Sequence, residues 1–106
     1  MGYEKGFSAL GDPTRWVVFE RLRQGPQTVG ALAAGLPVSR PAISQHLKVL
    51  KQAGLVRDLA DGARRLYSLD RAGIGLLKDY LAMVWDEAEA THRAEVARQV
   101  EERRSG

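Results

Sequence analysis

The sequence predicts a mainly α-helical chain with one small β-hairpin, in the order α-α-α-α-β-β-α. Apolar residues recur at helical spacing through most of the chain, and only the stretch after Gly54 changes to the alternation of short strands. The chain has 106 residues, of which 44% are hydrophobic. Such a chain can bury one modest core, so residues 1–106 are predicted to form a single domain.

The first two predicted helices are short. One covers residues 3–10. Asp12 as N-cap and Pro13 in the first helical position then start a second helix, which continues through residues 15–24. Trp16, Phe19 and Leu22 are predicted to lie along one face of this second helix.

The fourth predicted helix has the clearest separation of two faces. Thr28 caps a short third helix over residues 29–34, and after a turn Ser39 caps the fourth, which Gly54 ends. One face is apolar, with Ile43, Leu47 and Leu50. The other carries groups that can contact phosphates and base edges: Pro41, Ser44, Gln45, Lys48 and Gln52. Two helices joined by a turn, the second polar outside, predict a helix-turn-helix that binds DNA.

A hairpin is predicted directly after this helix. Residues 55–59 and 64–69 are typical of short strands, and Asp61-Gly62 within the turn 60–63 is a hairpin signal. Arg64 and Arg65 beside the turn could lie along a phosphate backbone or enter a minor groove. Paired arginines on an exposed strand edge also discourage aggregation, which is the alternative interpretation.

Residues 71–103 form one long predicted helix. Its apolar stripe is too long for the small hairpin domain to cover, which indicates a second copy of the chain as partner. The predicted dimer interface joins the first and last helices through Phe7, Leu10, Leu77, Leu81, Val84, Trp85 and Ala88. After His92 the stripe thins to valines among charges, and the last turns are predicted to fray.

Charge is distributed unevenly along the chain. The formal net charge is +3, but residues 39–57 hold four basic side chains and no acidic one. This favours attraction to phosphate, although a solvated basic face is the alternative. There is no cysteine, which excludes disulfides and thiolate metal sites. The lack of a long apolar run or secretory leader predicts a cytoplasmic protein with no membrane insertion.

Enzymatic interpretations have little support. Ser44 and His46 are two positions apart on a helix, so their side chains point about 200° apart and cannot form a dyad. Residues 73–75 lack the strand and spacing of a nucleotide-binding loop. No catalytic residue and no cofactor are therefore predicted.

Residues 9–15 and 39–56, with the Asp61-Gly62 wing and the long final helix, resemble the ArsR/SmtB family of bacterial winged-helix repressors. The resemblance covers roughly residues 5–90. It implies a dimer that binds imperfect palindromes in promoters. Winged helices of the MarR type share the architecture but are normally longer. The residues expected to contact DNA are Ser39, Arg40, Pro41, Ser44, Gln45, His46, Lys48, Arg64 and Arg65.

The chemistry of these side chains divides their expected roles. Arg40 could make a bidentate contact to guanine and Gln45 could bond adenine, each worth about 1–3 kcal/mol of discrimination. Ser44, Lys48 and the wing arginines suit phosphates. The alternatives are that Gln45 and Lys48 are merely solvated and that Arg40 pairs with a nearby acid.

Metal sensing, which the resemblance raises, has poor ligands here. The third helix offers none. The last-helix site of the family takes ligands from both subunits, and here that helix offers only Asp79, His92 and Glu95, with Leu81 at a position where a histidine is expected. This set suits tetrahedral zinc poorly, so the sequence is similar to the non-metal-sensing branch, regulated by an effector or accessory protein. The alternatives are a metal-responsive repressor and a winged module that binds another protein. The acid-free polar face of residues 39–52 favours DNA over the latter.

Overall fold

The computed structural model describes residues 2–105, which fold into helices and one hairpin in the predicted order. The elements are α1 (Tyr3–Leu10), α2 (Pro13–Leu22), α3 (Val29–Ala33), α4 (Arg40–Gln52), β1 (Val56–Asp61), β2 (Arg64–Leu69) and α5 (Arg71–Ser105). Three of the helices start with the predicted caps, since the side chains of Asp12, Thr28 and Ser39 each accept a backbone N–H three residues ahead. Each cap satisfies a donor that the first turn of a helix leaves free.

The core lies where α2, α3 and α4 meet, with α1, β1 and the start of α5 closing it. The predicted stripe of α4 is confirmed, because its three apolar side chains are completely buried. The core residues are Ala9, Val18, Leu22, Leu32, Ile43, Leu47, Leu50, Leu55, Val56 and Leu77. Burial of these side chains supplies the main driving force for folding.

The face of α2 that carries Trp16 and Phe19 lies at the edge of the core. Trp16 is 49% exposed and stacks on the half-buried Phe19, with ring centroids 6.3 Å apart. Leu22 and Val18, four residues apart, are the α2 side chains that enter the core.

The hairpin is tighter than predicted. The strands pair antiparallel from Val56↔Leu69 to Asp61↔Arg64, which leaves a two-residue turn at Gly62-Ala63 in place of the predicted four. Gly62 has φ +62°, a conformation that glycine adopts without the cost of a Cβ. Leu55, predicted as the first strand residue, instead donates its N–H to the Leu50 carbonyl and closes α4.

A further pair of hydrogen bonds attaches the hairpin to the helix-turn-helix. The N–H of Gln27 donates to the Tyr67 carbonyl (2.9 Å) and the N–H of Tyr67 donates to the Gln27 carbonyl (2.8 Å). The connection between α2 and α3 therefore runs beside β2 as a third, one-residue strand. This contact fixes the wing relative to the helices that precede it.

α5 crosses the end of α4 and then extends away from the core. A Cβ on Gly73 would lie 1.7 Å from the Gly54 carbonyl oxygen, so the two backbones touch. α1 packs on the same part of α5, where the rings of Tyr3 and Tyr80 stack with centroids 4.4 Å apart. Beyond this point the helix continues to Ser105 without the predicted fraying, and the molecule is 73 Å long.

Within residues 2–105, no helix combines the length and hydropathy needed to cross a membrane.

Candidate nucleic-acid interface

The outward face of α4 carries the polar side chains that the sequence predicted there. Pro41, Ser44, Gln45 and Lys48 are all exposed, on the side opposite the buried stripe. The Ser39 hydroxyl accepts the Ala42 N–H at 3.3 Å and so caps the helix. α4 therefore presents an amide, a hydroxyl and an ammonium on a rigid surface, which are the groups that contact base edges and phosphates.

His46, predicted to flank this face, lies instead between α4 and α2. Its side chain is 22% exposed, and its Nδ1 is 3.9 Å from Asp12 Oδ2. The same carboxylate caps α2 by accepting the Arg15 N–H at 2.9 Å. This hydrogen bond, together with the charges of Arg15 and His46, lowers the pKa of Asp12 below its ordinary value. His46 therefore packs between α2 and α4, the helix that carries the exposed polar face and is called the recognition helix.

Arg40 also lies back from the outward face. Its guanidinium covers Gly30 of α3, with one terminal nitrogen 3.0 Å from where a Cβ on Gly30 would be. The acidic partner considered for Arg40 is not found, since no hydrogen bond or ion pair of its side chain occurs among residues 2–105. This guanidinium is therefore available to an anion from outside the chain.

The wing is tied to the recognition helix through Asp58, a residue that the sequence did not identify. Its carboxylate lies 2.7 Å from Lys51 Nζ on α4 and 2.6 Å from an Arg65 terminal nitrogen on β2, and its side chain is only 9% exposed. The hydrogen bonds from Lys51 and Arg65 lower the pKa of Asp58. One carboxylate thus sets the position of two cations. In the sequence Asp58 is simply a polar residue in a short strand, and no spacing marks it.

Arg64, the other predicted wing residue, is held more loosely. It forms an ion pair with Asp61 at 3.2 Å, in which both side chains are at least half exposed. Exposed pairs of this kind contribute about 1 kcal/mol at most, so phosphate can compete for the arginine.

Within one chain the three candidate metal ligands do not come together, and the site that the resemblance raises would take its ligands from two subunits. Asp79 and His92 are thirteen residues apart on the same helix, which corresponds to about 20 Å along its axis. Glu95 forms an ion pair with Arg98. In the part of the chain that the structure describes, no group of three potential metal ligands occurs.

The predicted interface residues on α1 and α5 divide between core and surface. Leu77 is buried in the protomer itself, and Phe7 and Leu10 pack half-buried against that core. Trp85, in contrast, is 66% exposed and Leu81 is 54% exposed. The exposed members of the predicted interface therefore all lie in residues 81–105, the distal part of α5.

Comparison with known proteins agrees with this architecture. Residues 10–58 match the helix-turn-helix domain family. The chain is 52% identical over 85 residues to the HTH-type transcriptional regulator Rv2034 of Mycobacterium tuberculosis, covering 80% of this chain and 79% of that protein. It is 41% identical over 64 residues to the transcriptional repressor SdpR of Bacillus subtilis, covering 60% and 71% of the two chains.

Solved structures show the same fold. An ArsR-like transcriptional regulator from Rhodococcus sp. RHA1 superposes with a TM-score of 0.76 at 32% identity, over 93% of this chain and 92% of that one. The homodimeric winged helix-turn-helix domain of Mb0332 from Mycobacterium bovis, a possible ArsR-family regulator, superposes with a TM-score of 0.65 at 27% identity. That match covers 81% of this chain and 80% of the other.

Proposed function

The chain belongs to the ArsR/SmtB family of winged-helix transcriptional regulators, and we propose that it acts as a homodimeric repressor on a palindromic promoter operator. The observation that carries this proposal is the outward face of α4. Ser44, Gln45 and Lys48 are exposed on a helix whose opposite face is wholly buried, beside a wing that bears two arginines. The similarity to the repressor SdpR supports the direction of regulation.

Base recognition is assigned to Gln45. Its amide can donate and accept at once, which matches the N6 and N7 edge of adenine in the major groove. Ser44 and Lys48, one turn apart from each other on the same face, suit the flanking phosphates and would set the register of the helix.

The second subunit is proposed to pack on α5. Beyond the contact with α1, this helix exposes Leu81, Val84 and Trp85, at least a third of each side chain lying open. Apolar positions spaced by four and three residues are typical of helices that pair. The homodimeric state of the similar M. bovis domain supports this arrangement. Such a dimer would place two α4 helices about one turn of DNA apart, roughly 34–36 Å.

The release signal is proposed to be something other than a metal ion. Leu81 stands where a histidine is expected and α3 offers no ligand, so Asp79, His92 and Glu95 make a poor site even if two subunits share it, and an effector or accessory protein is favoured. Zinc or nickel titration during DNA binding tests this directly: the protein is expected to stay bound. Release at micromolar metal would overturn it.

The operator proposal is tested by selecting duplexes from a random pool and measuring anisotropy at about 150 mM salt. The selected sequence is expected to be a palindrome bound about a thousandfold tighter than a shuffled duplex. Gln45→Ala should remove most of this preference while leaving the affinity for shuffled DNA unchanged. Failure to enrich any sequence, with equal and weak binding throughout, would contradict the proposal.

A further inference from the structure

We propose that Arg40, Arg64 and Arg65 form one binding groove for a phosphate of the DNA backbone, so that Arg40 holds a phosphate and does not read a base. This inference rests on the proposed DNA-binding function and assigns a site within it. It differs from the guanine contact that the sequence suggested for Arg40.

The groove lies between α3, the first turn of α4 and the wing, and has a volume of about 400 Å³. It is lined by Thr28, Val29, Gly30, Arg40, Arg64 and Arg65. Three of the six lining residues carry a guanidinium group and none carries a carboxylate. The Thr28 hydroxyl already accepts the Ala31 N–H at 3.2 Å, and its proton can be donated into the groove.

Gly30 explains why Arg40 is directed into this groove. The guanidinium carbon of Arg40 is 3.2 Å from the position of a Cβ on Gly30, so any side chain there would occupy the space that the guanidinium uses. The arginine lies along α3 towards the wing for this reason. A planar guanidinium in this position offers its paired N–H groups to a tetrahedral oxyanion, which it can hold with two parallel hydrogen bonds.

Two of the three guanidinium charges in the groove are incompletely compensated, while Arg64 is paired with Asp61. Arg40 has no acidic partner within residues 2–105. Arg65 shares the single carboxylate of Asp58 with Lys51, so that group of three keeps one net positive charge. A bound phosphate would neutralise the remaining positive charge. The Asp58 carboxylate, which is only 9% exposed, holds Arg65 in position to contact that phosphate.

The walls of the groove are fixed relative to each other. The paired hydrogen bonds between Gln27 and Tyr67 join the start of α3 to β2, and the Asp58 carboxylate joins β1 and β2 to α4. Arg65 is therefore set before DNA arrives, whereas Arg64 keeps only its exposed pair with Asp61. A preorganised arginine loses little side-chain freedom on binding, which favours affinity.

The position of the groove points to backbone phosphate as the ligand. It adjoins the first turn of the recognition helix, beside the exposed face of Ser44 and Gln45, and it is open to solvent. A helix lying in the major groove has phosphates at its ends, and contacts there fix its register without reading sequence.

The test uses the full-length protein with the selected and the shuffled duplex, each over a range of salt concentrations. Arg40→Gln is expected to weaken binding to both duplexes equally, by about fivefold for each protomer at 0.15 M salt, and to lower the salt slope by about 0.9 per protomer. Gln45→Ala should weaken only the selected duplex. Arg71→Gln, which removes an equal charge from the exposed first residue of α5, serves as the control and should change neither affinity.

A second measurement locates the phosphate. Replacing single phosphates of the selected duplex by uncharged methylphosphonates should reveal one position per half-site where wild-type protein loses affinity and Arg40→Gln loses nothing further. Arg40→Lys keeps the charge but not the paired N–H groups of the guanidinium, so it should bind more tightly than Arg40→Gln and less tightly than wild-type protein. Melting curves of each variant verify that it is folded.

Three results would overturn the inference. A loss confined to the selected duplex would make Arg40 a base reader. Unchanged binding of both duplexes by folded Arg40→Gln would show that Arg40 does not contact a phosphate. Release of DNA by millimolar inorganic phosphate beyond the effect of chloride at equal ionic strength, abolished in Arg40→Gln, would assign the groove to free phosphate. Absence of any selected sequence would instead reject the operator proposal, and the shuffled duplex would still test Arg40.

Discussion

Residues 3–80 and residues 81–105 differ in what they do with their apolar side chains. In the first region ten hydrophobic residues are buried, and most of the α4 and β1 members are completely so. In the second region every large apolar side chain is at least a third exposed, and the helix is supported by exposed ion pairs such as Arg93–Glu89. The first region can fold on its own contacts, whereas the apolar positions between Leu81 and Ala88 of the second are the ones proposed to be covered by a second copy of the chain.

The two regions also differ in what they offer to other molecules. Residues 39–57 concentrate basic and amide groups on one face, while residues 71–106 have one more acidic than basic side chain. Electrostatic attraction therefore favours DNA at the first surface over the second. This difference separates the face proposed to contact phosphate from the face proposed to pack against a second copy of the chain.

A large effect is expected inside the first region, where α5 crosses the end of α4. Gly73→Ala places a Cβ within 1.7 Å of the Gly54 carbonyl oxygen, a contact that only movement of α5 against α4 can relieve. We expect a loss of about 3 kcal/mol in the free energy of unfolding. Gly75→Ala is the matched control, since a Cβ there meets nothing within 4 Å. It should stabilise the helix by up to about 1 kcal/mol. Equal melting temperatures for both variants would show that the crossing is not tight.

The second prediction compares the loss of stability when a core leucine and a valine of the distal part of α5 are each truncated to alanine. Leu47→Ala leaves a cavity at a completely buried position, at an expected cost of about 2–5 kcal/mol in urea unfolding. Val100→Ala, at a position 44% exposed, should change stability by less than about 0.5 kcal/mol. A cost above about 2 kcal/mol for Val100→Ala would mean that the distal helix is buried against a partner along its full length.

The smallest change in stability is expected when the ion pairs of the wing are broken. Asp58→Asn removes the charge that holds Lys51 and Arg65, and it should lower the melting temperature more than Asp61→Asn, whose ion pair with Arg64 is exposed. The same variant should weaken DNA binding because Arg65 is no longer held at the groove. Thermal melts and anisotropy on the shuffled duplex measure the two effects. Indistinguishable behaviour of the two variants would show that Asp58 does not position the wing.

The pH dependence of stability follows from the lowered pKa of Asp58. Because folding lowers this pKa, the contribution of Asp58 is fully present above its unfolded value, near 3.9, and is lost as the pH falls through the lower folded value. Wild-type protein should therefore lose more stability than Asp58→Asn on acidification below about pH 4. Parallel curves for the two proteins would contradict the pairing.

The elements and the recognition face could be predicted because their causes are local. The caps at Asp12, Thr28 and Ser39 and the stripe of α4 depend on residues a few positions apart. What could not be predicted depends on contacts between distant segments. Helical spacing places Trp16 on one face with Leu22, but it does not show which members of that face are buried. His46, Arg40 and Asp58 take their places from α2, α3 and β2, which the spacing within α4 or β1 cannot reveal.

The difference between the two regions is tested most directly by the mass of the protein in solution. Sedimentation equilibrium at about 150 mM salt and micromolar concentration is expected to give twice the 11.7 kDa of one chain. Leu81→Glu, at an exposed position of the distal helix, should return the mass to that of one chain without loss of helical content. A wild-type mass of 11.7 kDa at every concentration would contradict the account, because the apolar face of α5 would then remain uncovered.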